Sequence, residues 1–125
     1  MNTDLDINKL TETVIGCAYR VGSTLGSGFL EKVYENALSL ELRKTGIPVA
    51  QQCPMKVTYS GEVVGEYIAD MIVADRLILE IKSVRRIEQI HVAQGLNYLK
   101  ATNLRLCLLI NFGPSVEIKR IINGV

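Results

Sequence analysis

The fold is decided by one stretch of the chain, Tyr67-Ile68-Ala69-Asp70-Met71-Ile72-Val73, Ala74-Asp75-Arg76, Leu77-Ile78-Leu79-Glu80-Ile81-Lys82. Two apolar runs rich in β-branched residues flank a short polar break, and this pattern predicts a β-hairpin. If the loop is Ala74-Asp75-Arg76, then Val73 pairs with Leu77 and Asp70 lies directly opposite Glu80. The hairpin therefore brings charged residues together inside strands that otherwise look buried.

The register of this hairpin decides whether the charges share a face. Side chains alternate along a strand, so Glu80 and Lys82 lie on one face, about 7 Å apart along the strand. In the register above, Asp70 joins them. A slip of one residue would send Asp70 to the opposite face. We expect Asp70, Glu80 and Lys82 on one face, and the apolar residues Met71, Leu79 and Ile81 on the other.

Two carboxylates and an ammonium group on one patch suit metal-assisted phosphate chemistry. Mg²⁺ prefers hard oxygen ligands and often takes only one or two carboxylates. A lysine beside the metal can orient a water molecule or stabilise an anionic transition state. The alternative is that Glu80 and Lys82 lie on the solvated face of an ordinary strand, where charges protect a sheet edge from aggregation.

Composition places limits on the class of protein. The 125 residues suit one domain, 48% of them are hydrophobic and 22% are charged, as in soluble globular proteins. The net charge of +1 means that any phosphate-binding surface must be local. Cys17, Cys53 and Cys107 lack metal-ligand spacing and predict reduced thiols in a cytoplasmic protein. No apolar segment reads as a signal sequence or a membrane span.

The periodicity of the chain predicts an α/β fold with the order ααβββαββ around a mixed sheet. Apolar residues at helical spacing predict a first helix, with Asp4 or Asp6 as its cap, that a glycine-rich segment from Gly22 to Gly28 breaks. The other predicted elements are helices over Phe29–Lys44 and Glu88–Ala101 and strands over Met55–Tyr59, Val63–Val73, Leu77–Val84, Leu104–Asn111 and Val116–Ile122.

Two polar residues are predicted to lie on apolar helix faces. Glu31 shares a direction with Leu38 and Leu42 of the second helix, although an acid near a helix start also complements the helix dipole. Gln94 lies at the centre of a stripe on the third helix, and a buried glutamine needs hydrogen-bond partners. Those partners are either the charges of the hairpin or a backbone group.

Three further basic residues are candidates of lesser weight. Arg85 and Arg86 follow shortly after Lys82 and suit phosphate binding, although charges between a strand and a helix are usually only solvated. His91, the one histidine, lies near a helix start, where a structural role is the commoner one.

Together these positions resemble the GxxExxY family. Gly28-Phe29-Leu30-Glu31-Lys32-Val33-Tyr34 carries its signature, and the resemblance extends from Ile7 to Asn123. That family is similar to the PD-(D/E)xK nuclease superfamily, with Ala69 standing where a proline is usual. The resemblance implies a single restriction-endonuclease-like domain over residues 1–125. It also implies a Mg²⁺ site for phosphodiester hydrolysis built from Glu31, Asp70, Glu80 and Lys82, with Gln94 in support.

Two functions follow from this pattern. The first is a Mg²⁺-dependent nuclease, in which the carbonyl of Ile81 is a further expected ligand and Mn²⁺ a substitute metal. The second is a non-catalytic module that binds nucleic acid or a protein partner. A substrate-gripping enzyme of this size also suggests a homodimer. Its candidate contact is the stripe Val92, Leu96 and Leu99, unless the first helix covers that stripe with Leu10, Val14 and Ala18.

Overall fold

The computed structural model describes residues 3–123, and the side chains of residues 7–123. The expected capping side chains of Asp4 and Asp6 lie outside that part. The elements are α1 (Thr3–Leu25), α2 (Glu31–Lys44), β1 (Val49–Tyr59), β2 (Glu62–Val73), β3 (Leu77–Lys82), α3 (Gln89–Thr102), β4 (Leu106–Phe112) and β5 (Val116–Ile122). The predicted order of helices and strands is confirmed. No helix within the described residues is long and apolar enough to cross a membrane.

The five strands form one mixed sheet in the order β1-β2-β3-β4-β5. Neighbouring strands are antiparallel except β3 and β4, which run parallel and are joined through α3. Parallel neighbours need such a crossover, because a tight turn between two strands makes them antiparallel. All seven residues of β4 are buried, as its continuous apolar sequence predicts. The predicted α/β class with a restriction-endonuclease-like mixed sheet is confirmed.

Helices cover both faces of this sheet. On one face α1 and α2 pack over a core that includes Met71, Leu79 and Ile81. On the other face α3 packs through Tyr98 and Leu99 over a second cluster. That cluster also contains Met55, Ala69, Ile78, Cys107, Leu109 and Ile121. The predicted apolar face of the hairpin is therefore the face below α1 and α2.

The first strand begins at Val49, six residues before the predicted start at Met55. Its first half contains Gln51, Gln52 and Pro54, which are unfavourable in a central strand. The pairing of this half with β2 overrides those preferences, and β1 lies at the edge of the sheet, where a proline costs no ladder hydrogen bond.

The first helix ends inside the predicted glycine-rich segment, at Leu25, so Gly22 is still helical. Gly22 serves close packing instead. A Cβ atom at this position would overlap Cγ2 of Val116. The glycine therefore lets α1 approach β5, and the chain leaves the helix only at Gly26.

The second apolar stripe of α3 is not a spare surface. Leu99 is fully buried and Val92 packs against the cluster beneath α3. Only Leu96 remains exposed. The alternative prediction, that the first helix covers this stripe, is also wrong. Val14 and Ala18 of α1 belong to the core on the opposite face of the sheet. A homodimer stays a prediction, and Leu96 is the stripe residue left to test it.

Candidate functional site

The predicted register of the β2–β3 hairpin is confirmed. Val73 pairs with Leu77, and the ladder runs as far as Met71 and Leu79. Continuing this register places Asp70 across from Glu80. At these two positions, hydrogen bonds between side chains and backbone amides connect the strands.

Each of these two carboxylates binds a backbone amide of the other strand. The amide of Asp70 donates to Oε2 of Glu80, and the amide of Ile81 donates to Oδ2 of Asp70, both at 2.8 Å. Each bond occupies one carboxylate oxygen. The two hydrogen bonds therefore fix the acids side by side. The other oxygen of each carboxylate takes no part in these two bonds.

Burial makes this pair of acids electrostatically costly. Glu80 is only 2% exposed, and burial, followed by the charge of Asp70, raises its pKa to about 8. Burial also raises the pKa of Asp70, while the bond from Ile81 opposes the rise. Lys82 lowers both pKa values through its charge. No ion pair among the described residues joins Lys82 to either acid. The positive charge of Lys82 therefore acts on the two carboxyl groups from more than 4 Å.

Helix α3 orients Lys82. The Nζ atom of Lys82 donates to Oε1 of Gln94 at 3.1 Å, and Nε2 of Gln94 donates to the Tyr98 hydroxyl at 2.9 Å. The partner predicted for Gln94 among the hairpin charges is thus Lys82. Sequence reasoning missed Tyr98, although its position one turn after Gln94 was the available signal. Burial and the charge of Glu80 raise the pKa of Tyr98 to about 12, so its hydroxyl stays protonated at neutral pH.

Glu31 lies apart from this group. It is the first residue of α2, it is exposed, and its Oε2 accepts the amide of Ser83 at 3.3 Å. Leu38 and Leu42 of the same helix direction are buried. The first turn of α2 extends beyond the core. Glu31 is therefore exposed to solvent, although the later residues on its helix face are buried.

The loop before α2 is held by Tyr34. The Tyr34 hydroxyl donates to the carbonyl of Gly26 at 2.5 Å and accepts the amide of Phe29 at 3.2 Å. The Tyr34 ring is buried and stacks on Phe112, with ring centres 4.6 Å apart. Gly28 has φ +110°, a conformation that residues with side chains rarely adopt. The glycine, glutamate and tyrosine of the signature thus turn the loop, fasten it to Ser83 and anchor it.

Glu35 is a buried acid that sequence reasoning missed. It is 3% exposed and accepts hydrogen bonds from Lys32, Gln51 and Gln52. Its charge raises the pKa values of both hairpin acids. The signal was its place one turn after Glu31, on the same helical face.

Gln52 reaches Glu35 through an unusual backbone. Its φ is +54°, and the ladder pairs Gln51 with Met71 and Cys53 with Ala69, without a Gln52–Asp70 pair. Consecutive strand residues normally point to opposite faces. This distortion lets Gln51 and Gln52 both donate to one carboxylate, and it stands directly across from Asp70.

The donor set suits a cation, although it is smaller than the sequence suggests. No group of three or more His, Cys, Asp and Glu side chains within the described part of the chain is arranged to hold a metal ion. The expected convergence of three carboxylates is therefore absent there, since Glu31 stands at Ser83. The paired acids Asp70 and Glu80 still supply hard oxygens, and a divalent cation would take the place of the proton that the raised pKa of Glu80 retains on this pair.

The remaining predicted residues have plainer surroundings. The side chain of Ile81 is buried in the core, and its amide binds Asp70. His91 accepts the amide of Glu88 at 2.9 Å and completes a capping box at the start of α3, which is a structural role. Arg85 and Arg86 are exposed just beyond Lys82.

Comparison with known proteins bears on this arrangement. A family model described as the PD-(D/E)XK nuclease superfamily matches residues 8–121, which is most of the chain. Nucleases of that superfamily generally use divalent metal ions. No curated protein sequence matches the chain significantly.

Two solved structures share the fold. One is the crystal structure of SSO0001, with a TM-score of 0.59 and 18% identity over 75% of this chain and 50% of that one. The other is an alkaline exonuclease, LHK-Exo, from Laribacter hongkongensis, with a TM-score of 0.54 and 15% identity over 73% of this chain and 55% of that one. The chain spans about half the length of each, and at these identities the likeness is one of fold.

Proposed function

Because the chain belongs to the PD-(D/E)XK nuclease superfamily, we propose that it is a Mg²⁺-dependent nuclease that hydrolyses phosphodiester bonds of nucleic acid. One observation carries the proposal. Asp70 and Glu80 are held side by side by reciprocal bonds to backbone amides, while burial raises the pKa of both acids and the charge of Asp70 raises the pKa of Glu80 further. Two adjacent buried acids destabilise a fold unless a cation compensates them.

Asp70 and Glu80 would hold the metal, with the carbonyl of Ile81 as a further ligand. The family resemblance also implies Glu31 as a ligand, and its carboxylate would have to leave the amide of Ser83 to reach the ion. When bound, Mg²⁺, or Mn²⁺ in its place, would neutralise charge on the phosphate and acidify a water molecule. The backbone bonds of Asp70 and Glu80 keep both side chains from turning away. The site is thereby preorganised for the cation.

Lys82 would act on the reacting phosphate. Its ammonium group is held by Gln94, and Gln94 is itself oriented by the neutral hydroxyl of Tyr98. Lys82 is therefore placed to stabilise negative charge on the phosphate or to orient the attacking water. Gln94 is a positioning residue in this scheme, since it acts through Lys82.

The metal is tested by thermal unfolding. Millimolar Mg²⁺ or Mn²⁺ should raise the melting temperature of the wild type, because a ligand that binds only the folded state stabilises it by mass action. Asp70→Asn should lose most of that rise. Asp75→Asn, in the hairpin loop, is the control and should keep it. Equal rises in wild type and Asp70→Asn would disprove the metal site.

Catalysis is tested by cleavage of labelled single- and double-stranded DNA and RNA with Mn²⁺. Lys82→Ala should retain the metal-induced rise in melting temperature and lose at least about a hundredfold in rate, as for removal of one electrostatic stabiliser. Lys119→Ala, on β5, is the matched control. Activity that survives Lys82→Ala would contradict this site, and an inactive wild type that binds nucleic acid would favour the non-catalytic module.

The further expectations concern the setting of the site. We propose that residues 1–125 act as a single domain in the cytoplasm. The support for a reducing compartment is that Cys17, Cys53 and Cys107 are free and Cys17 and Cys107 are buried. Nucleic acid is the proposed partner, and the groove beside the site bears on which kind.

A further inference from the structure

A groove opens directly beside the proposed active site. One wall is the loop and first turn of α2, residues Ser27–Lys32, and the other is formed by Ser83–Arg85 and Phe112–Pro114. We call it the α2 groove. Its volume is about 670 Å³, which is in the range of pockets for small ligands. Ser83, which follows Lys82 in the chain, joins the two walls by donating its amide to Glu31.

The groove presents two apolar side chains to solvent. Phe29 is 47% exposed and Leu30 is 81% exposed. Exposed apolar groups gathered beside a polar site mark binding surfaces more often than isolated ones do.

Phe29 is fixed rather than merely exposed. Its amide donates to the Tyr34 hydroxyl, its carbonyl accepts the hydroxyl of Ser83 at 2.8 Å, and its ring meets the edge of the Tyr34 ring at 6.1 Å. Both ends of the residue are therefore tied to buried or strand-anchored groups. An aromatic ring held in this way loses little conformational entropy when a ligand binds.

The lining of the groove carries two cations and one acid, in a chain whose net charge is only +1. Lys32 and Arg85 line the groove, and Lys82 and Arg86 flank it in sequence. Lys32 also pairs with Glu35 at 3.3 Å yet keeps 57% of its side chain exposed. Glu31 is the acid on the wall, and its carboxylate faces the amide of Ser83.

We propose that the α2 groove binds a single strand of nucleic acid next to the phosphodiester bond to be cut. Phe29 stacks on an unpaired base, while Arg85 and Lys32 contact backbone phosphates. Every base offers a face for stacking, so this contact is tolerant of sequence but demands a base released from its duplex. The inference deepens the proposed nuclease function and rests on it, because it names the strand state of the substrate.

Binding is measured without cleavage, by fluorescence anisotropy of a labelled oligothymidine of about twelve nucleotides in EDTA. Phe29→Ala and Phe29→Leu should each weaken binding by about tenfold, the loss expected for one base stack. Tyr59→Ala removes an aromatic side chain that is 74% exposed on the β1–β2 hairpin, and it should leave the affinity unchanged. Melting temperatures establish that each variant is folded.

Charge gives an independent measurement. Arg85→Ala should reduce the slope of log affinity against log salt by about 0.7, the value for one phosphate contact on a single strand. Arg43→Ala, at the far end of α2, should not change the slope. This salt-dependence measurement tests the inference even if substitution of Phe29 disturbs the loop.

Four outcomes would overturn the inference: a wild type that does not bind the oligonucleotide, unchanged affinity in both Phe29 variants, an unchanged slope in Arg85→Ala, or a loss in Phe29→Ala that Phe29→Leu restores. The last would mean that an apolar protein segment docks in the groove. Failure of the nuclease function looks different. Binding would then depend on Phe29 and Arg85, and the wild type with Mg²⁺ or Mn²⁺ would cleave nothing.

Discussion

At the scale of single residues, Glu80 links the proposed chemistry to the stability of the fold. Its carboxyl group is buried beside Asp70, and its pKa is about 8 in the folded chain, against an ordinary value of 4.5. The folded state therefore binds this proton more tightly than the unfolded state does. Stability from this group is fully present below about pH 4.5 and is lost as the pH rises through about 8.

We expect Glu80→Gln to flatten this pH dependence. In metal-free buffer, the wild type should lose on the order of a few kcal/mol of unfolding free energy between pH 5 and pH 9 from this group. The variant keeps an oxygen to accept the amide of Asp70 but carries no charge. Urea unfolding across the pH range measures the difference. Parallel curves for the two proteins would mean that Glu80 titrates normally in the folded state.

At the scale of elements, α1 shows how one close contact places the loop that carries Phe29. Gly22 lies against Val116 of β5, and the helix ends three residues later at Leu25. The direction in which the chain enters the α2 groove thus depends on the approach of α1 to the sheet.

Two glycines of this helix should respond oppositely to alanine. Gly22→Ala would force a methyl group against Val116, and we expect a loss of about 1–3 kcal/mol in unfolding free energy. Gly16→Ala meets nothing within 4 Å and should gain about 0.5–1 kcal/mol from helix propensity. Chemical denaturation of both variants measures the contrast. A gain at both positions would show that β5 shifts easily and that the close contact is unimportant.

At the scale of the whole molecule, the charges are nearly balanced, with 14 Lys and Arg against 13 Asp and Glu. Binding of nucleic acid should therefore depend on the few cations at the site and not on a general positive field. The four that line or flank the groove are Lys32, Lys82, Arg85 and Arg86.

This balance predicts a shallow salt dependence. At about 0.7 for each phosphate contact on a single strand, four cations give a slope of log affinity against log salt no steeper than about −3. Anisotropy titrations at several salt concentrations provide the slope. A value well beyond −4 would show that basic residues elsewhere on the surface take part.

Local sequence patterns were enough to predict the order of elements, the mixed sheet and the hairpin register. These features follow from periodicity and turn chemistry, which act over a few residues. Val73 pairs with Leu77 because only the loop Ala74-Asp75-Arg76 separates the two apolar runs. The alignment of Asp70 with Glu80 follows from it.

Which polar groups meet depends on how distant segments pack in the folded chain. Glu35 accepts hydrogen bonds from Gln51 and Gln52 of a distant segment, and Tyr98 lies near enough to the hairpin acids for their charges to raise its pKa. Glu31 opens to solvent although its helical face is apolar, because the first turn of α2 extends beyond the core. The physical reason is the same in each case: burial and charge depend on neighbours far away in sequence, and local pattern does not specify where those neighbours lie.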